Sequence, residues 1–218
     1  MLRRSLILLV LIAVGAPAVR SADDKKEGPP AGFESLFNGK DLTGWKVQPG
    51  GKMQVWGAEN GLLYVNGSGG AWLMTEKEYG DYELHVEWKV PIKGNSGVGL
   101  RAPMTGDPAY QGMEIQILDD ANYKNLRPTQ YTGSIYDVVA PSKNATKPAG
   151  EWNKYVITAK GPKITIELNG TKVIDANLDD YKAEHGKKHP GLLRDKGHIG
   201  LQSHDGRVEF KNIYIKPL

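Results

Sequence analysis

The chain contains no cysteine among its 218 residues. Disulfide bonds, thiol catalysis and zinc sites built on thiolates are therefore excluded. The protein has to rely on a hydrophobic core for its stability, and a chain of this length can bury a core of adequate size.

The sequence also lacks an apolar run of the ~20 residues that a membrane-spanning helix needs. The apolar run at 6–14 follows Arg3 and Arg4, and small residues follow it at 16–21. This order predicts a secretory signal peptide over residues 1–22, and therefore export to the periplasm or the extracellular space. The alternative is an N-terminal membrane anchor that stays uncleaved.

A real excess of positive charge is missing too. The whole chain has a net charge of +3, from 28 basic and 25 acidic residues. Removing residues 1–22 takes away Arg3, Arg4 and Arg20 and no acidic residue, so 25 basic residues remain against 25 acidic ones. Without a basic stripe, nucleic acid and anionic membrane surfaces are poor partner candidates.

No stretch has the periodicity of a long helix. Residues 23–32 are charged and then rich in glycine and proline, which predicts a disordered linker before a single domain at 33–218. That domain shows about a dozen short strands. Among them are a strand at 81–90 in which apolar and polar residues alternate, and a short strand at 133–138. A hairpin turn is predicted at Asn169–Gly170. Residues 175–195 are predicted to form a loop with at most a helical turn. The pattern predicts an all-β antiparallel sandwich of the jelly-roll type.

The predicted strand at 112–118 has one apolar face and one polar face of unusual composition. With a period of two, Met113, Ile115 and Ile117 point to one side and can join the core, while Glu114 and Gln116 point to the other. The two polar side chains then lie about 7 Å apart, at about 3.3 Å of rise per residue. Both residue types are poor strand formers. The face is interpreted either as a ligand-binding surface or as a solvated surface with incidental polar residues.

Two further strands, at 96–101 and 197–202, combine glycine with polar groups on one face. These faces carry Gly97, Gly99 and Arg101 in the first strand, and Gly200, Gln202 and, if the strand extends, His204 in the second. If the three strands share a sheet, their outer face is a shallow polar cleft, to which Tyr136 and Trp152 could add apolar walls. Such a mixture suits a sugar, since amides and charged groups bind hydroxyls and an aromatic ring covers the C–H face.

Several sequence blocks resemble the 3-keto-disaccharide hydrolase family, also described as 3-keto-glucoside 1,2-lyase/3-keto-2-hydroxy-glucal hydratase. The matching blocks are LFNGKDLTGW at 36–45, NSGVGLR at 95–101, GMEIQILD at 112–119, GEWN at 150–153 and GLQSH at 200–204. The resemblance extends over about residues 33–218. It implies a concanavalin A-like lectin/glucanase sandwich and a small-molecule or oligosaccharide substrate.

The chemistry implied by this family needs a base, a group that stabilises an enolate, and an acid for the leaving group. His204 is the candidate base, because imidazole titrates near neutral pH. Glu114 is the alternative base, or the leaving-group acid if burial raises its pKa. Arg101 is the candidate enolate stabiliser. The residues expected to bind substrate are Gln116, Gln202, Asp119, Tyr136 and Trp152.

Other readings stay open at this stage. A divalent cation held by Glu114 and His204 could replace Arg101 as the electrophile, although no compact ligand motif requires it. A conventional glycosidase is less favoured, because it needs two acids flanking the bond and only Glu114 stands out on a strand. The same sandwich could also serve as a non-catalytic carbohydrate-binding module, or as a secreted scaffold with a vestigial cleft.

Overall fold

The computed structural model describes residues 28–69 and 71–218. The predicted signal peptide and residues 23–27 of the predicted linker lie outside this part of the chain. No helix among the described residues has the length and apolar character that crossing a membrane requires.

Two antiparallel sheets pack against each other, as predicted. The strands, in chain order, are β1 Glu34–Ser35, β2 Trp45–Val47, β3 Trp56–Glu59, β4 Leu62–Asn66, β5 Trp72–Thr75, β6 Tyr82–Lys89, β7 Asn95–Ala102, β8 Met113–Leu118, β9 Asn153–Lys160, β10 Lys163–Leu168, β11 Thr171–Asn177, β12 His198–Gln202 and β13 Arg207–Pro217. The larger sheet has the order β11-β10-β9-β6-β13-β4-β3, with β1 also on β13, and the smaller sheet has the order β2-β5-β12-β7-β8. Among the described residues, the α-helices are α1 Pro108–Gln111 and α2 Asp179–His185, and short 3-10 helices lie at Met53–Val55, Asp120–Asn122, Pro128–Gln130 and Pro190–Leu193.

The core lies between the sheets and follows from strand alternation. In β6, every second residue from Tyr82 to Trp88 is buried, and the residues between them are partly exposed. From the smaller sheet, Met113, Ile115 and Ile117 enter the same core cluster. Burying each large aliphatic side chain stabilises the folded state by roughly 1.5–3 kcal/mol. This burial determines the register of each strand, and therefore the side of the sheet on which its polar residues lie.

Two local predictions were wrong. Residues 133–138 form no strand; only isolated bridges join Ile135 to Ile115 and to Val139, and Asp137 has a φ of 62° that interrupts an extended chain. The segment 175–195 contains α2, a helix of seven residues, where at most one turn was predicted. The hairpin prediction is confirmed, since Asn169 and Gly170 both have positive φ, as a two-residue hairpin turn requires.

Candidate active site

The three strands with polar faces are adjacent in the smaller sheet, in the order β12-β7-β8. Register places Gly97 opposite Gln116, Gly99 opposite Glu114, and Gly200 opposite Gly99. The inward residues of these strands belong to the core, so their glycines and polar residues share the outer face of the sheet.

The glycines on this face make room for their neighbours' side chains. A Cβ atom at Gly97 would lie 2.1 Å from Oε1 of Glu114, and one at Gly200 would lie 3.0 Å from the ring of Trp72. Glu114 therefore lies across Gly97, and the ring of Trp72 lies against the backbone at Gly99 and Gly200. Any larger residue at Gly97 would displace the carboxyl group of Glu114.

Five of the predicted site residues line one pocket of about 200 Å³ on this face. They are Glu114, Gln116, Tyr136, Gln202 and His204. Three further polar residues line the same pocket and were not among the predicted site residues: Asn95, Asp107 and Tyr110. We refer to this cavity as the inner pocket.

Glu114 is the buried acid of the inner pocket. Its exposed fraction is 3 %, and none of the described residues donates a hydrogen bond to its carboxyl group. Burial, with a smaller contribution from the negative charge of Asp107, raises the pKa of the Glu114 carboxyl group to about 8. The group is therefore mostly protonated at neutral pH and can donate a hydrogen bond or a proton.

His204 has the opposite environment. Its side chain is half exposed, and Nδ1 lies 2.7 Å from Oδ2 of Asp205. With the ring proton on Nδ1, the carboxylate accepts it, and Nε2 is left as the nitrogen that can accept a proton. A histidine held in this way fits the role of a general base.

Amide groups supply the polar edge of the inner pocket. Oε1 of Gln202 and Oδ1 of Asn95 are buried and have no hydrogen-bond partner among the described residues. Oε1 of Gln116 accepts a hydrogen bond from the Ile117 N–H at 2.9 Å, so the amide nitrogen of Gln116 points away from that N–H. Buried acceptors without partners are costly, so this edge suits a ligand rich in hydroxyl donors.

Two tyrosines form the wall beyond β8. Tyr136 donates its backbone N–H to the carbonyl of Glu114 at 2.9 Å, and its hydroxyl accepts a hydrogen bond from Nε2 of Gln130 at 3.1 Å. Tyr110 lies on α1, whose first turn is capped by the side chain of Asp107, and its ring centroid is 6.4 Å from that of Tyr136. Burial is the largest cause that raises the pKa of Tyr110, so its phenol stays protonated and can donate.

Arg101 does not belong to this site, and its predicted place in the cleft was wrong. Its φ of 48° breaks the alternation of β7. The guanidinium group is buried at the end of the sandwich, where it donates to the carbonyls of Gly80, Gly161 and Arg194 and pairs with Asp81 at 3.1 Å. The group that was expected to stabilise an enolate instead ties together the segment before β6, the turn between β9 and β10, and the segment before β12.

This placement leads to a prediction about stability. An Arg101→Lys variant keeps the charge but cannot reproduce the fork of donors, so the free energy of unfolding should fall by about 2 kcal/mol. Urea denaturation measures the change. The kcat of the remaining folded protein should match that of the wild type, and a selective loss of kcat would contradict the structural role.

Asp119 and Trp152 were also predicted in the cleft, and both lie elsewhere. Oδ2 of Asp119 accepts hydrogen bonds from the Lys93 N–H and from Nδ2 of Asn122, each at 2.7 Å, so it ties two turns at the end of β8. Trp152 precedes β9 of the larger sheet, and the ammonium groups of Lys89 and Lys211 lie 5.0 and 4.3 Å from its ring. It therefore belongs to the other layer of the sandwich.

The described residues contain no group of three or more His, Cys, Asp or Glu side chains that could hold a metal ion. Asp107 and His204 line the inner pocket with Glu114, but the three side chains do not form such a group, and amides and phenols make up the rest of its polar lining. The donor set at the inner pocket therefore does not fit the divalent cation considered from the sequence.

Comparisons with known proteins give matches over most of the chain. Residues 32–216 match the family model described as the 3-keto-alpha-glucoside-1,2-lyase-like domain. A protein of Bacteroides thetaiotaomicron named 3-keto-disaccharide hydrolase is 28% identical over 86% of this chain and 79% of its own length.

Solved structures support the fold. A protein of Parabacteroides distasonis, named as a candidate glycosyl hydrolase, superposes with a TM-score of 0.76 at 30% identity, over 86% of this chain and 94% of its own. A family GH16 endo-β-1,3(4)-glucanase superposes with a TM-score of 0.52 at 13% identity, over 88% of this chain and 94% of its own. The second likeness concerns the fold alone and confirms the predicted lectin/glucanase type of sandwich.

Proposed function

The chain belongs to the family of 3-keto-alpha-glucoside-1,2-lyase-like domains, and from this premise we propose that it cleaves 3-keto-glucosides by elimination. A ketone at C3 acidifies the hydrogen at C2. The base removes that proton, the C2–H electrons form the C1=C2 double bond, and the C1–O bond breaks with its electrons leaving on the aglycone oxygen. The aglycone oxygen takes up one proton, so atoms and charge balance.

The product of elimination is a 3-keto-2-hydroxy-glucal. Water can add to it, with oxygen bonding to C1 and a proton returning to C2, and the sum of the two steps is hydrolysis. The same base can serve in both directions, because hydration reverses the proton transfer at C2.

In this proposal Nε2 of His204 removes the C2 proton and then delivers it to the departing oxygen. C1 and C2 are adjacent, so one imidazole can reach both. Asp205 holds the ring and stabilises the imidazolium that forms between the two transfers. No second carboxylate is required, in contrast to conventional glycosidases.

Glu114 takes the part that was first assigned to Arg101. Its neutral carboxyl group donates a hydrogen bond to the C3 oxygen, where negative charge develops as the C2 proton leaves. A neutral acid in a buried site serves in this way without the cost of burying a charge. The amides of Asn95, Gln116 and Gln202 hold the sugar hydroxyls.

The observation that carries the proposal is the pairing of two unlike groups in one pocket. A carboxyl group whose pKa is raised to about 8 by burial lies with an exposed imidazole already hydrogen-bonded to a carboxylate. Titratable groups in such different environments are typical of acid–base catalysis. A binding module has no need of a buried acid.

An isotope experiment tests the reaction. Purified protein is incubated with methyl 3-keto-α-glucoside in D2O, and the sugar product is analysed by mass spectrometry. Elimination followed by hydration should place deuterium at C2 in excess of an enzyme-free sample, and the glucal should be detectable early. Turnover without excess deuterium would indicate direct hydrolysis. Binding of the sugar with no turnover would indicate the non-catalytic module.

A further inference from the structure

The segment after β8 places Tyr136 directly beside Glu114. Ile115 and Ile135 face each other in an antiparallel bridge, and both side chains are buried in the core. The next pair along, Glu114 and Tyr136, is joined by the backbone hydrogen bond between them and has its side chains on the other side, where both line the inner pocket. Residues that lie opposite each other in this way have Cβ atoms about 4.5–5.5 Å apart. The phenol of Tyr136 and the carboxyl group of Glu114 are therefore neighbours in the pocket wall.

The side chain of Gln130 determines where the hydroxyl proton of Tyr136 can point. Oε1 of Gln130 accepts a hydrogen bond from the backbone N–H of Arg127 at 3.1 Å. A backbone N–H can only donate, so the atom of Gln130 that lies 3.1 Å from the Tyr136 hydroxyl is the amide nitrogen. An amide nitrogen can only donate as well. The hydroxyl oxygen of Tyr136 therefore accepts this bond, and its proton is left for another partner.

The position of Gln130 relative to Tyr136 is well supported. Asp137, the residue after Tyr136, donates its backbone N–H to the carbonyl of Thr129 at 2.9 Å. The carboxylate of Asp137 also pairs with the guanidinium group of Arg127. None of the described residues accepts a hydrogen bond from the Tyr136 hydroxyl. The proton is therefore available to a ligand in the inner pocket.

We infer that Tyr136 is a catalytic residue that donates a hydrogen bond to the C3 oxygen together with Glu114, and that Gln130 is the positioning residue that directs its proton. The inference rests on the proposed function. Negative charge develops on the C3 oxygen as the C2 proton leaves, so two donors aimed at it stabilise the enolate more than one. A tyrosine hydroxyl and a neutral carboxylic acid can form an oxyanion hole of this kind, because both donate without adding a charge.

A Tyr136→Phe variant removes the donor and keeps the ring. Its kcat on methyl 3-keto-α-glucoside should fall by about 10²–10³-fold, as on loss of one oxyanion-hole donor, with a smaller change in KM. Tyr64→Phe is the matched control, because Tyr64 lies on β4 of the other sheet and should keep the wild-type kcat. A loss of kcat below about tenfold for Tyr136→Phe overturns the inference and leaves Glu114 as the donor of the proposed reaction.

A Gln130→Glu variant tests the direction of the proton. Its carboxylate can accept from both the Arg127 N–H and the Tyr136 hydroxyl, which turns the proton away from the pocket. The kcat should fall by at least about tenfold. Gln130→Met has a similar size and at most a weakly accepting sulfur, so its loss of kcat should be smaller.

The double variant separates the proton from the new charge. On a Tyr136→Phe background there is no proton to turn, so Gln130→Glu should cause no further loss of kcat. The same loss on both backgrounds, an equal loss for Gln130→Met, or no loss in Gln130→Glu overturns the role of Gln130. A wild type that does not turn over methyl 3-keto-α-glucoside overturns the proposed function instead.

Discussion

A His204→Asn variant should lose about 10²–10⁴-fold in kcat on a 3-keto-glucoside, the range that a general acid–base residue contributes. Asparagine keeps a polar group near the Asp205 carboxylate but cannot accept a proton near neutral pH. Two proton transfers depend on this imidazole in the proposed reaction, so the loss should fall on kcat. The side chain of His204 is half exposed, so the fold should tolerate the change.

The matched control is His85→Asn. His85 lies on β6 of the other sheet, where its Nε2 is 2.8 Å from Oε1 of Glu83. The His85→Asn substitution should therefore leave kcat near the wild-type value. Stopped-flow or steady-state kinetics on both variants measures the difference. A kcat for His204→Asn within about tenfold of the wild-type value would mean that His204 is not the base. Glu114 would then be the remaining candidate.

Sequence patterns predicted the part of the site that depends on strand alternation. Glu114, Gln116 and Gln202 emerge on the side opposite to buried aliphatic neighbours, and burial of those neighbours determines that side. Arg101 failed the same rule because its positive φ turns the strand at that residue. Arginine rarely adopts this conformation, and no pattern in the sequence signals it.

The missed residues lie where no periodicity applies. Asp107 and Tyr110 come from a single helical turn between β7 and β8, and they reach the pocket only because that turn folds back over the sheet. The one signal in the sequence was Asp107–Pro108, a favourable start for a helix. Trp152 was assigned to the cleft for its chemistry, but the sheet to which its strand belongs follows from long-range pairing that local patterns do not reveal.

A Glu114→Gln variant should be more stable than the wild type at alkaline pH. Burial raises the pKa of this carboxyl group from 4.5 to about 8, so between these values the folded protein holds a proton that the unfolded chain has lost. The wild-type free energy of unfolding therefore falls as pH rises from about 4.5 to about 8. The full difference is on the order of 5 kcal/mol, because each pKa unit corresponds to about 1.4 kcal/mol.

Urea denaturation of both proteins at pH 5 and pH 9 measures this difference. The variant should be close to the wild type at pH 5 and clearly more stable at pH 9, because glutamine stays neutral. Glu167→Gln, an exposed change on β10, provides the control and should follow the wild type at both values. Other titrating groups affect all three proteins alike and cancel in the comparison.

Activity should change in a matching way. In the wild type, kcat/KM should decline above a pH of about 8 as the Glu114 carboxyl group ionises and ceases to donate to the C3 oxygen. Glutamine still donates a hydrogen bond, so Glu114→Gln should keep measurable activity and lose that alkaline decline.

Equal dependence of stability on pH in variant and wild type would mean that the carboxyl group is already ionised in the native pocket. Glu114 would then act as an anion, and its role would be that of a base instead of a donor.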